Sequence, residues 1–272
     1  RANSRLEAQI ADRSPDQGDQ FDITATHPRT IDRVQRAVSL SGGQSGGRRL
    51  RKSYLDTLNG MIFGDGPEQG YILGQRFAHP KLRFEFSVPN GFTLQNRPDQ
   101  VVATSKRDKA AILFTAARKP YQGRMTGYLS NVWARGAGLN DLEGITVNGL
   151  DAATGWVRSR DGKTDLRLIA IRFSAKEIYR FVFVATPSTM RRLSEPFQRT
   201  TYSFRRLSSA QARALRPKRL RIVKASPSDS VGNLSARMAF DRFRQERFVT
   251  LNGLGGANSL SSRRLVKLVV QT

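Results

Sequence analysis

Two histidines are the residues best suited to chemistry in this sequence: His27, in Thr26-His27-Pro28, and His79, in Ala78-His79-Pro80. His27 precedes a helix start. It could serve as a metal ligand only if three further ligands came from elsewhere; otherwise it is a loop or capping histidine. His79 stands just before the first sheet strand and reads as a turn histidine. With 0 cysteines there is no thiol nucleophile, disulfide framework or thiolate zinc cage. With 2 histidines, a three-histidine metal site and an HExxH helix are excluded. The carboxylates are scattered rather than paired, which leaves a glycosidase dyad unsupported. Gly42-Gly43 and Gly64-Asp65-Gly66 are turn glycines, and no G-x-G-x-x-G or P-loop accompanies them. The chain assembles no active site by itself.

The charge is the other chemical signal. Across 272 residues there are 46 Lys+Arg against 22 Asp+Glu, a formal net charge of +24. The excess is uneven: residues 1–38 are neutral, residues 39–212 carry +14 and residues 213–272 carry +10. Two readings stay open. One is attraction to a polyanion such as nucleic acid, anionic lipid or an acidic wall polymer; the other is an arginine-rich solvated surface. Nucleic acid is the less expected partner, because no helix-turn-helix, zinc finger or RNP-type aromatic motif goes with the charge. No apolar run approaches the roughly 20 residues of a membrane span, so no transmembrane segment is expected. The chain starts at Arg1 rather than Met and is expected to be processed, or the C-terminal piece of something longer.

The elements that must position these residues follow from periodicity. Residues 1–20 are polar and read as a frayed helix end. Residues 30–38 place Ile31, Val34 and Val38 on one helical face, and residues 39–49 have linker composition. Residues 53–63 suggest a short helix or turn. From 82 onward the period becomes two: Leu82, Phe84, Phe86 and Val88 alternate, followed by strands at 92–95, 101–105, 111–116, 145–147, 152–158, 166–173 and 178–185. One helix is expected at 125–135, with Tyr128, Leu129, Val132 and Trp133 inward, and another from about Thr189 to Thr200. Residues 208–218 read as a polar linker. The tail reads as a βααβ module: strand 220–224, helices 231–238 and 243–252, strand 265–270. The fold class is α+β with an antiparallel sheet.

At Ala25-Thr-His-Pro28, followed by Thr30-Ile-Asp-Arg33, the chain resembles the end of a bacterial zinc metallopeptidase domain of family M-48, of the periplasmic beta-barrel assembly-enhancing kind. The resemblance continues through Tyr54-Leu55, Leu58-Asn-Gly60, Phe63-Gly-Asp65, Pro67-Glu-Gln-Gly70, Gly74-Gln-Arg-Phe77, His79-Pro80 and Val88-Pro-Asn-Gly-Phe92. Residues 82–207 are similar in pattern to PsbP/Mog-like domains. Residues 219–272 resemble a degenerate LysM module: Ser228-Asp-Ser230 stands where LysM has Gly-Asp-Thr, and Leu251-Asn-Gly-Leu254 stands at its Asn-containing loop.

The resemblance implies five segments: a metallopeptidase remnant and linker at 1–48, a connecting segment at 49–81, an α+β domain at 82–207, a linker at 208–218 and the LysM-like module at 219–272. It implies the non-catalytic C-terminal region of a zinc metalloendopeptidase in envelope protein quality control. Zn2+ would belong to the full-length protein, with none expected on this chain alone, and the HExxH motif would lie upstream. Whether the chain is itself an enzyme stays open. Of the zinc-site residues only His27 carries over, as an extra ligand or gate that displaces the nucleophilic water. The LysM-like tail implies glycan contacts at Asp229, Ser230, Leu251, Asn252 and Gly253. The implied partners are protein substrates, peptidoglycan and anionic envelope polymers, in the periplasm or cell envelope. The alternative is a non-enzymatic basic protein that binds cell wall or nucleic acid.

Overall fold

The computed structural model describes residues 6, 30–40, 42, 50–117, 120–255, 260 and 264–271. It is α+β, in two compact units: Asp65–Arg216, and a smaller one formed by Arg1–Gly64 with Pro217–Thr272. Residues 49–81 therefore divide between the units rather than forming one connection.

The smaller unit opens with helices α1 (Thr30–Leu40) and α2 (Arg51–Leu58). Val38 of α1 is exposed, while Ile31 and Val34 have side chains outside the described residues. Most of the 39–49 stretch lies outside them as well.

The larger unit contains β1 (Tyr71–Leu73), β2 (Arg76–His79), β3 (Phe84–Ser87), β4 (Thr93–Asn96), β5 (Val101–Ser105) and β6 (Ala110–Ala117). Helix α3 (Met125–Gly127) runs on into a π-helix, Tyr128–Trp133. Then come β7 (Asn140–Val147), β8 (Leu150–Arg158), β9 (Asp165–Ser174) and β10 (Glu177–Ala185). The unit closes with α4 (Pro187–Arg192), α5 (Ser194–Ser203), β11 (Arg205–Arg206) and α6 (Ser209–Ala214). Strands β4-β5-β6-β10-β9-β8-β7 form a seven-stranded sheet, antiparallel throughout, and β1-β2-β3-β11 a second sheet of four.

The alternation that marks these strands buries one face of the large sheet against the small sheet and α5. Phe84, Phe86, Phe114, Phe181 and Phe204 meet there with ring centroids 4.6 to 6.1 Å apart. The opposite face packs on Met125, Tyr128 and Leu129.

Four expectations are corrected. Val132 is exposed, because the 128–133 segment is a π-helix whose closing Ala134 N–H bonds Leu129 O (2.8 Å). The wider i→i+5 turn breaks the 3.6-residue stripe that predicted it inward. The helix expected from Thr189 is two helices, divided at Leu193. The 208–218 linker contains α6, started by a capping box in which Ser208 and Gln211 bond each other's backbone N–H. Leu82 is exposed too, in the turn between β2 and β3, so the expected alternation is buried only from Phe84.

The smaller unit finishes with β12 (Lys218–Lys224), α7 (Val231–Ala236), α8 (Arg244–Asn252) and β13 (Leu265–Gln271), the expected βααβ order. β12 and β13 pair antiparallel over Val231, Leu234, Phe248, Val266 and Leu268. Residues 59–63 run beside β12, with Gly60 N bonding Leu220 O (2.8 Å) and Phe63 N bonding Lys218 O (2.8 Å).

Candidate functional site

A concavity of about 440 Å³ in the larger unit lies between β7–β10 and helices α4 and α5. Strand alternation explains its chemistry. Residues 152, 154, 156 and 158 of β8 share one face, as do 165, 167, 169 and 171 of β9. Towards the closed core these positions are apolar: Ala152, Ile169 and Ile171. Towards the other end they become Thr154, Trp156, Arg158, Asp165 and Arg167. Asp165 is buried and takes two bonds from Arg158, at 2.7 and 3.0 Å. That pairing, with smaller attraction from Arg191, holds the Asp165 carboxyl below its ordinary pKa.

Arg167 stands in register with Trp156 on one side and Phe183 on the other. Its Nη1 donates to Thr154 Oγ1 (3.1 Å), and among the described residues no carboxylate pairs with it. Ile145, Met190 and Phe197 line the apolar side, and Arg191 and the exposed Glu143 stand at the rim. Sequence reasoning missed this site. The signal was present: polar residues at core-facing positions of two adjacent strands.

The β7–β8 hairpin that carries half of the cleft turns through Asn148-Gly149, both with positive φ (47° and 79°). Such a two-residue turn matches the twist of the strands. The Asn148 amide also donates to Tyr202 O (2.7 Å) and Phe204 O (2.8 Å), fixing the hairpin to the end of α5.

In the βααβ module the residues expected to touch glycan fall at the start of α7 (Asp229 and the cap Ser230) and at the C-terminal end of α8 (Leu251, Asn252 and Gly253). Ala225 N, after β12, bonds Arg264 O, before β13 (2.9 Å). Asp229 accepts from Ser226 N (2.8 Å), which depresses its pKa. Ser230 caps α7 by exchanging bonds with Asn233. Leu251 is half-buried. Asn252 is buried, and its amide is fully occupied: Nδ2 donates to Phe248 O (3.0 Å) and Lys267 O (2.9 Å), and Oδ1 accepts from Lys267 N (2.7 Å). Gly253 adopts φ 57° to end α8. All five have structural work at this end of the module.

The same end gathers three cations. Arg51 Nη2 donates to Leu265 O (3.2 Å) and Arg264 Nη2 to Asn252 O (2.9 Å), next to Lys267. Burial, and then repulsion from Arg51 and Arg264, pushes the Lys267 pKa down. No described carboxylate forms an ion pair with any of the three. Residues 33–55 and 247–272 contain no Asp or Glu, and Asp229, before α7, accepts from Ser226 N.

His27 lies outside the described residues. His79 is buried at the end of β2, where its Nδ1 accepts from Leu82 N (3.1 Å) between the rings of Phe77 and Phe84. Burial lowers its pKa against a smaller opposing pull from Glu68. Among the described residues no group of three His, Cys, Asp or Glu side chains could hold a metal, and no helix is long and apolar enough to cross a membrane.

No protein-family model matches the chain, and neither does any curated protein. Solved structures similar to it include cyanobacterial PsbP (CyanoP) from Synechocystis sp. PCC 6803, at 16% identity and TM-score 0.38, over 52% of this chain and 99% of that one. A structure from Bacteroides thetaiotaomicron VPI-5482 is similar at 8% identity and TM-score 0.38, over 58% of this chain and 55% of that one. LpqN, involved in cell envelope biogenesis of Mycobacterium tuberculosis, is similar at 12% identity and TM-score 0.35, over 60% of this chain and 100% of that one.

Proposed function

We propose that this chain is a non-catalytic binding region that tethers an envelope zinc metalloendopeptidase, through its βααβ module, to peptidoglycan or an anionic polymer attached to it. The observation that carries the reading is the Arg51, Arg264 and Lys267 cluster at the C-terminal end of α8, drawn from residues 33–55 and 247–272, which contain no Asp or Glu. Crowding three cations without a counter-ion is unfavourable, and an anionic ligand at that point relieves it. The metallopeptidase part of the reading rests on the resemblance across residues 25–92. A zinc ion would take its ligands from outside the described residues.

The test is co-sedimentation of the full chain with isolated sacculi. Arg51→Gln, Arg264→Gln and Lys267→Gln together should reduce retention about tenfold or more, and salt should weaken the unmodified protein. Undiminished retention of the triple variant overturns the tether. Equal retention on duplex DNA would favour the plain polyanion reading. An upstream reading frame without an HExxH motif would remove the peptidase.

A further inference from the structure

The cleft of the larger unit carries an inference independent of the tether. A guanidinium on the core-facing side of a sheet is costly to desolvate unless a counter-charge faces it. The charges around the cleft do not balance there. Asp165, the nearest carboxylate along the strand, is already engaged at both oxygens by Arg158. The other lining carboxylate, Glu143, is exposed on the outermost strand and forms no ion pair among the described residues. Among the described residues half-buried Arg167 keeps one bond, to Thr154, and it lines the same space that Arg191 faces from α4. Beside these two cations the wall is apolar, with Ile145, Met190 and Phe197. A volume of about 440 Å³ is that of a small-molecule pocket.

We propose that this cleft binds an amphipathic anion, a carboxylate or phosphate head on an apolar tail. The head lies against Arg167 and Arg191 and the tail along the Ile145–Phe197 side. The head supplies the counter-charge that the protein withholds from Arg167. Charge-assisted bonds to two guanidiniums make the head decisive for affinity, and burial of the tail adds to it.

The test uses the full chain with three probes of equal tail length, each below its micelle concentration: decanoate, decyl phosphate and decanol. Calorimetric titration should show decanoate and decyl phosphate binding about tenfold or more tighter than decanol. Arg167→Gln should bring both anions to the level of decanol, while Arg167→Lys keeps part of the preference. Arg191→Gln, on an exposed helix position, should weaken anions without affecting decanol, and serves if Arg167→Gln does not fold. Equal binding of decanol and the anions overturns the proposal, as does unchanged anion binding in both glutamine variants. Absence of binding by any probe overturns it also.

Discussion

Two halves of one sheet face behave differently. Over β5, β6 and β10 the core-facing positions Ala103, Ile112, Phe114 and Phe181 are buried, with Phe114 and Phe181 against Phe86 of the small sheet. Over β7–β9, in the same alternation, the equivalent positions end in Thr154, Trp156, Asp165 and Arg167 beside an open cleft. Pleating decides which residues face inward; the side chains placed there decide whether that space is filled by protein or left for something else. The first half should be sensitive to truncation and the second tolerant of it.

The largest effect is expected in the sealed half. Phe181→Ala leaves a cavity among four aromatic neighbours and should cost about 3–5 kcal/mol, read as a lower denaturant midpoint with an unchanged slope. In the smaller unit Asn252→Ala leaves the backbone N–H and C=O of Lys267 without partners. About 2–3 kcal/mol is expected, visible as an earlier loss of hydrogen-exchange protection in β13 than in the large sheet.

Acid should act next, through His79. Its pKa in the folded state lies below the ordinary 6.5, so between the two values the unfolded chain binds more protons. Stability is then complete above about pH 6.5 and falls as pH drops below it, whereas Asp108 and Asp165, with depressed pKa values, add their losses only near pH 4 and lower. Urea midpoints at pH 7.5 and 5.5 check this, and His79→Gln should flatten the difference. The smallest effect sharpens the comparison most: Arg167→Met should change stability by less than about 0.5 kcal/mol, or raise it, because it removes a charge without a counter-ion. A loss as large as that of Phe181→Ala would make Arg167 part of the core.

The sequence made the strands readable because the sheet alternates. Val101–Ser105 falls at its expected limits, and the βααβ order of the tail appears as anticipated. Strands β1 and β2 escaped notice because three- and four-residue strands give alternation too little length, and α6 because its polar composition hid a capping box. The π-helix escaped because its period is neither of the two that were sought. The cleft was invisible for another reason. Thr154, Trp156, Asp165 and Arg167 come from separate strands, and only the register brings Arg167 between Trp156 and Phe183. The structural use of Asn252 was not legible, since its partners lie four and fifteen residues away.

That asparagine also protects the protein from itself. On the outer side of β13 the backbone of Lys267 meets the Asn252 amide, and Val269 O meets Ala239 N (2.8 Å), so the strand offers little to an incoming chain. An unguarded strand of Leu265-Val-Lys-Leu-Val-Val270 composition is a template for pairing between molecules. The Asn252 carboxamide and the Ala239 N–H thus occupy backbone groups that β13 would otherwise offer to another strand.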